Sequence, residues 1–206
     1  MSPAKPRQHA QARDHRAAVE AAIFEATETF LHDHAFRDLT VEDVIAPTGL
    51  GRTAFYRYFP DLETVLLRRL AQIDAELNEA TDLWLDTPDG SGDGLAESAL
   101  ALAVVYRRHA AMLRAFAEAA AAGEDVEAAW RDLIGGFIAQ ATERITHLSA
   151  DGTISLDHPE EVARALVWMT EHYLLETYGR GSDVPVEVAA ATVAQIWHRA
   201  LFAVPG

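Results

Sequence analysis

The 206-residue sequence contains no cysteine. That absence excludes structural disulfides, thiolate zinc sites and cysteine nucleophiles, and it fits a reducing cytoplasm. Long hydrophobic runs are missing too. No stretch reaches the roughly 18 uninterrupted apolar residues of a membrane span, and the opening Met-Ser-Pro-Ala-Lys-Pro-Arg lacks the apolar segment of a signal peptide. A soluble, cytoplasmic protein with no membrane contact is expected. There is no strand-length alternation of apolar and polar residues and no repeat of fixed period. H-E-x-x-H, G-x-S-x-G and phosphate-loop patterns are all absent, so the sequence offers no catalytic residue, metal-ligand set or cofactor site. His32 and His34, one residue apart at a helix end, form no recognised ligand set.

Positive charge is also scarce, with a formal net charge of -15. Affinity for nucleic acid rests largely on basic groups that displace counterions from phosphates, so this total argues against such a partner. Its distribution reverses the argument. Residues 1–60 carry 7 basic and 8 acidic side chains, whereas residues 61–206 carry 10 and 24. Within residues 1–16, Lys5, Arg7, Arg13 and Arg16 face Asp14 alone. This basic arm is equally consistent with a solvated tail and with a role on DNA.

What the sequence does have is helical periodicity. From Arg16 to His32, Ile23, Ala26, Phe30 and Leu31 recur at spacings that place them on one face of an amphipathic helix. After a connection containing Phe36 and Leu39, the stretch TVEDVIAPTGLGRTAFYRYF at residues 40–59 predicts two short helices around a turn, a helix-turn-helix. Thr40 stands at the N-cap with Asp43 as an imperfect capping box, and Val41, Val44 and Ile45 form the buried stripe. Pro47 ends that helix, and Gly49 can take the left-handed conformation that redirects the chain. The next helix starts near Gly51. Phe55 and Phe59 share one face and, with Ile23, Phe30, Val44 and Leu50, predict a three-helix core. Arg52 with Tyr56, and Thr53 with Arg57, lie away from it, where Arg and Thr can meet base edges and Tyr can donate to phosphate. Glu42, on the exposed side of the preceding helix, reads as a solvated charge.

A periodic run from Asp61 to Leu85 predicts a helix roughly 37 Å long at 1.5 Å per residue. The loop TPDGSGDG follows at 87–94, and further helices are predicted at 95–106, 108–121, 125–148, 159–178 and 184–203. Glu160 and Glu161 follow Pro159 at a helix start, where the helix dipole suffices to explain them. In the 159–178 helix, Val167, Thr170, Glu171, Leu174 and Tyr178 fall on one face and Trp168, His172 and Leu175 on another. The first face is assigned to a ligand cavity and the second to a dimer contact, although the residues alone admit the reverse. Glu171 is either an acceptor for an amine or a solvated carboxylate.

This layout resembles the tetracycline-repressor (TetR) family of bacterial transcriptional regulators, and within it the EthR-like members. The resemblance is carried by residues 16–67, above all VEDVIAPTGLGRTAFYRYFPDLETVL, and by layout beyond them, including LVWMTEHYLLETY and QIW. It implies an all-α fold of about nine helices: an arm at 1–15, a three-helix DNA-binding domain at 16–60, and a ligand-binding and dimerisation domain at 61–206 entered by the long helix. It implies a homodimer paired through the last two helices, binding a palindromic double-stranded DNA operator and released by a small hydrophobic or aromatic effector. The matching positions make Thr40, Gly51, Arg52, Thr53, Tyr56, Arg57 and Tyr58 the DNA-binding residues. Leu95, Leu102, Tyr106, Phe116, Trp130, Ile134, Phe137 and Trp197 join Val167, Thr170, Glu171 and Leu174 around the ligand. Two positions depart from the family: Leu62 stands where a phosphate-binding lysine is frequent, and Ala35 where glycine is usual. A second reading from another class is a helical small-molecule-binding protein or enzyme that kept the fold without operator recognition. Activation in place of repression is equally compatible with the residues.

Overall fold

The computed structural model describes residues 5–87, 92–121 and 123–202. Residues 1–4 of the expected arm, 88–91 of the expected loop and position 203 of the last predicted helix lie outside them. Among the described residues there are nine α-helices, two short 3-10 turns and no strand. The chain divides into two compact units, residues 1–69 and 70–206.

In the first unit, α1 spans Lys5–Asp33. It takes in residues 5–15, which the sequence reading gave to an arm, because that segment is rich in helix-forming Ala, Gln and Arg and has no Gly. Its one proline, Pro6, falls in the first turn, where a missing N–H breaks no intrahelical bond. A 3-10 turn at Phe36–Asp38 leads to α2, Val41–Ile45. Thr40 caps α2 in a complete box: its hydroxyl accepts from Asp43 N at 3.3 Å and its own N–H donates to Asp43 Oδ2 at 2.9 Å. A second 3-10 turn, Ala46–Thr48, ends at Gly49 with φ 70°, the left-handed conformation in which a side chain would be strained. Then α3 runs Arg52–Tyr58. Phe55 and Phe59 are wholly buried with Ile23, Phe24 and Val44, while Phe30 and Leu50 pack on this core only partly buried. Each buried Phe contributes on the order of 1.5–3 kcal/mol. The residue at Ala35 has φ -81° and ψ 154°, extended backbone that alanine adopts without strain.

The helix α4, Leu62–Leu85, is continuous across the division between the units. Asp61 caps its start, accepting from Thr64 N at 2.7 Å. Arg68 and Arg69 then tie its first turns to α1, pairing with Glu20 at 2.9 Å and Glu28 at 2.8 Å, and each guanidinium lies over a core ring, Phe59 or Phe24. The second unit is built from the rest of α4 with α5 (Gly92–Arg108), α6 (Ala110–Ala120), α7 (Glu124–Ala150), α8 (Pro159–Gly179) and α9 (Val186–Phe202). There α5 packs on α9, and α7 on both α6 and α8. No helix among the described residues is long and apolar enough to cross a membrane.

Candidate nucleic-acid interface and apolar cavity

The seven candidate DNA-binding residues lie together on the outer side of the helix-turn-helix. Gly51, Arg52, Thr53, Tyr56 and Arg57 are exposed on α3 or at its N-cap, Thr40 is exposed at the cap of α2, and Tyr58 is half-buried. The geometry follows from the sequence: burying Phe55 and Phe59 on one side of a seven-residue helix turns 52, 53, 56 and 57 outward. The Arg52 guanidinium lies 5.9 Å from the Tyr56 ring centre, and that of Arg16 lies 5.8 Å from the Tyr58 ring. Arg52 also pairs with Glu42 at 2.9 Å, so Glu42 is an ion-pair partner and not the simple solvated charge expected. The Tyr56 hydroxyl first and then Glu42 raise the pKa of Arg52, a permanent cation on this face. A Cβ at Gly51 would meet nothing within 4 Å. The fold therefore has no internal need for glycine at that position. Leu62, in place of a lysine, packs partly buried on the first unit's core.

The second unit holds a cavity enclosing about 700 Å³ of empty space, counting its mouth onto solvent. Nine of the twelve residues expected around a ligand line it: Leu95, Leu102, Tyr106, Ile134, Phe137, Val167, Thr170, Glu171 and Trp197. Phe116, Trp130 and Leu174 do not, and neither does Tyr178, which is buried on the same face of α8. Phe116 and Trp130 are buried with rings parallel to within 9° and centres 6.4 Å apart, so they are core. Leu174 shares the face of Thr170 and Glu171 and is fully buried away from the lining. Sequence reasoning missed the contribution of α4, namely Leu77, Thr81, Trp84 and Leu85, together with Ser98, Gln140 and Val193. The available signal was polar: Thr81, Ser98 and Gln140 interrupt apolar stripes, as Thr170 and Glu171 do on α8.

Polar groups in this lining divide into satisfied and unsatisfied. Trp197 Nε1 donates to Thr170 Oγ1 at 2.8 Å, and that hydroxyl donates to Leu166 O at 2.9 Å. Trp84 stands edge-on to Trp197 with centres 5.3 Å apart. In contrast, Trp84 Nε1 and Gln140 Oε1 are buried and have no hydrogen-bond partner among the described residues. Glu171 is 95% buried, and burial pushes its carboxyl above the ordinary value of 4.5, opposed only by the neighbouring His172 among the described residues. Burial, then the nearby Glu171 carboxylate, drives the Tyr106 phenol far up, so it remains a neutral donor. On the other face of α8, Trp168 is 42% exposed and His172 is exposed. Among the described residues no group of three or more His, Asp or Glu side chains is arranged to hold a metal ion.

The model of the EthR C-terminal domain matches residues 96–203, just over half of the chain. The HTH-type transcriptional regulator EthR of Mycobacterium tuberculosis is 27% identical over 201 residues, covering 96% of this chain and 93% of the relative. The regulator of the same name from Mycolicibacterium smegmatis is 24% identical over 200 residues, covering 96% and 92%. A TetR-family transcriptional regulator from Rhodococcus sp. shares the fold with a TM-score of 0.72 at 20% identity, over 86% of this chain and 96% of that one. With its helix-turn-helix, its all-helical second unit and the domain match across that unit, the chain belongs to the TetR family of DNA-binding transcriptional regulators, in its EthR-like branch.

Proposed function

We propose that this regulator is a ligand-responsive repressor that holds a palindromic operator and leaves it when a small hydrophobic or aromatic molecule fills the cavity of the second unit. The observation that carries the reading is the pairing, in one chain, of an exposed Arg-Thr-Tyr face on α3 with a largely apolar cavity whose wall includes the far end of α4. Arg52 and Thr53 read base edges from the N-terminal turn of α3, while Tyr56, Tyr58, Arg57 and Thr40 grip phosphates. The unneeded glycine at Gly51 supports close approach of a DNA backbone to that turn. Residues 16–60 then serve as the reading domain and residues 61–206 as the ligand-binding and dimerisation domain.

A palindromic operator requires two reading domains related by a two-fold axis. We assign the pairing to α8 and α9, where Trp168, Val188 and Ile196 are large apolar side chains left 42%, 54% and 41% exposed. Exposed apolar surface of this kind on neighbouring helices supports an interface. Ligand binding acts through α4, because Leu77, Thr81, Trp84 and Leu85 are wall residues of the same continuous helix that the first unit grips through Arg68 and Arg69.

A footprint on the DNA flanking the protein's own gene tests the proposal. Protection of an inverted repeat at moderate salt, weakened when a hydrophobic compound that binds the cavity is added, is expected. An intact dimer that protects nothing would favour the other class of function, a small-molecule-binding protein that kept the fold.

A further inference from the structure

We propose that the cavity selects a largely apolar ligand bearing a protonated amine, with the ammonium group seated on the Glu171 carboxylate. This rests on the effector-cavity reading above and adds the ligand's charge to it. Three observations carry it. Among the described residues Glu171 is the one carboxylic acid in the lining, and no Lys, Arg or His lines the cavity with it. Among the described residues nothing donates a hydrogen bond to Glu171, although it is 95% buried. The surrounding wall is aromatic, with Trp84, Tyr106, Phe137 and Trp197, and ring faces attract a desolvated cation.

A buried carboxyl without a partner is costly in its charged form. Burial accordingly shifts the Glu171 carboxyl upward from its ordinary value. An incoming ammonium supplies the missing countercharge and up to three N–H donors. An anionic ligand would meet no positive charge in the wall and would face the Glu171 carboxylate. A neutral ligand would leave the carboxyl as it found it. The polar demand of this cavity is thus for a donor bearing positive charge, and the apolar remainder of the lining takes the hydrocarbon part.

Three probes of nearly equal size separate the cases: 4-phenylbutylamine, 4-phenylbutan-1-ol and 4-phenylbutyrate, titrated against the full-length protein by calorimetry and by the fluorescence of the cavity tryptophans. The amine should bind at least roughly tenfold tighter than the alcohol, as a charge-assisted hydrogen bond in a buried site implies, and the carboxylate should bind weakest. Glu171→Gln should remove most of the amine's advantage over the alcohol, with the circular dichroism melt reporting that the variant is folded. The wild-type comparison stands even without the variant. Equal binding of amine and alcohol, or an amine preference that survives Glu171→Gln, would overturn the assignment of charge while leaving the cavity as an effector site. Failure of all three probes to bind would instead bring down the cavity reading, and this inference with it.

Discussion

Arg52 on α3 donates from one guanidinium nitrogen to both carboxylate oxygens of Glu42 on α2, at 2.9 Å each. The pair bridges the two helices of the helix-turn-helix on its exposed side, with both side chains more than half exposed. On the function proposed above, the arginine that reaches for DNA is thus already held by an acid from the neighbouring helix. To contact a guanine edge it has to exchange Glu42 for the base, and a wrong base offers no return for that exchange. Glu42→Gln should therefore raise affinity for unrelated DNA more than for the operator, by up to about fivefold, the scale of an exposed ion pair. Competition binding with operator and random duplexes at fixed salt measures the ratio; an unchanged ratio would make Glu42 a bystander.

Arg52→Ala should weaken operator binding roughly 10- to 100-fold and relax preference at one base pair in each half-site. Tyr56→Phe should lower affinity for all sequences by a similar factor, because it removes the phosphate contact proposed for the Tyr56 hydroxyl. Equilibrium binding to single-base operator variants distinguishes the two behaviours.

Leu62→Lys should add a phosphate contact and steepen the dependence of log affinity on log salt by about one unit. The cost is stability, since Leu62 packs on the core of the first unit. Parallel salt titrations and thermal melts read both effects.

The ring pair Phe116–Trp130 and the hydrogen bond Trp197–Thr170 predict opposite outcomes for superficially similar changes. Trp130→Ala should cost about 3 to 5 kcal/mol by urea unfolding while ligand affinity in the folded protein is unchanged, because Trp130 is core. Thr170→Val should cost about 1 to 3 kcal/mol, by leaving Trp197 Nε1 without an acceptor, and it should also alter ligand affinity because both residues face the cavity.

Stability should respond to pH through two carboxyls in opposite senses. Glu171 has its folded pKa raised above 4.5 by burial, so the folded state binds the extra proton in the interval above 4.5, and stability falls as pH rises through it. Glu76 is subject to a burial effect that acts upward, but hydrogen bonds and charge from His109 and Arg108 outweigh it and set its folded pKa below 4.5. Its contribution is present above pH 4.5 and is lost as pH falls through the lowered value. Glu171→Gln should flatten the decline on the less acidic side and Glu76→Gln should flatten the loss on the acidic side, as measured by urea midpoints from pH 3 to 8, a range set by the ordinary carboxyl scale.

How far the sequence reveals this depends on whether local or tertiary physics decides the feature. Thr40, Gly49, Phe55 and Phe59 are legible because capping, left-handed backbone and helical spacing are set within a few residues. The outward face of Arg52, Thr53 and Tyr56 follows from those same constraints. The cavity is only partly legible. Trp130 and Trp197 look alike in a helical pattern, yet one stacks on Phe116 and the other opens onto empty space. That difference depends on how α6 and α7 pack. The wall contributed by α4 is hard to see in the sequence because Leu77 and Leu85 read as ordinary stripe residues of an amphipathic helix, and Trp84 only as one of many aromatics in the helical body. Glu42 was missed for a related reason: its partner lies ten residues away, across a turn whose geometry fixes whether the two meet.

Sequencing of the duplexes that the full-length protein retains from a randomised DNA pool tests the central claim most directly. An enriched inverted repeat, absent from the pool selected by Arg52→Ala although that variant remains dimeric and folded, is the predicted result. Recovery of no common sequence, or of the same repeat by both proteins, would contradict the assignment of α3 as the element that reads DNA.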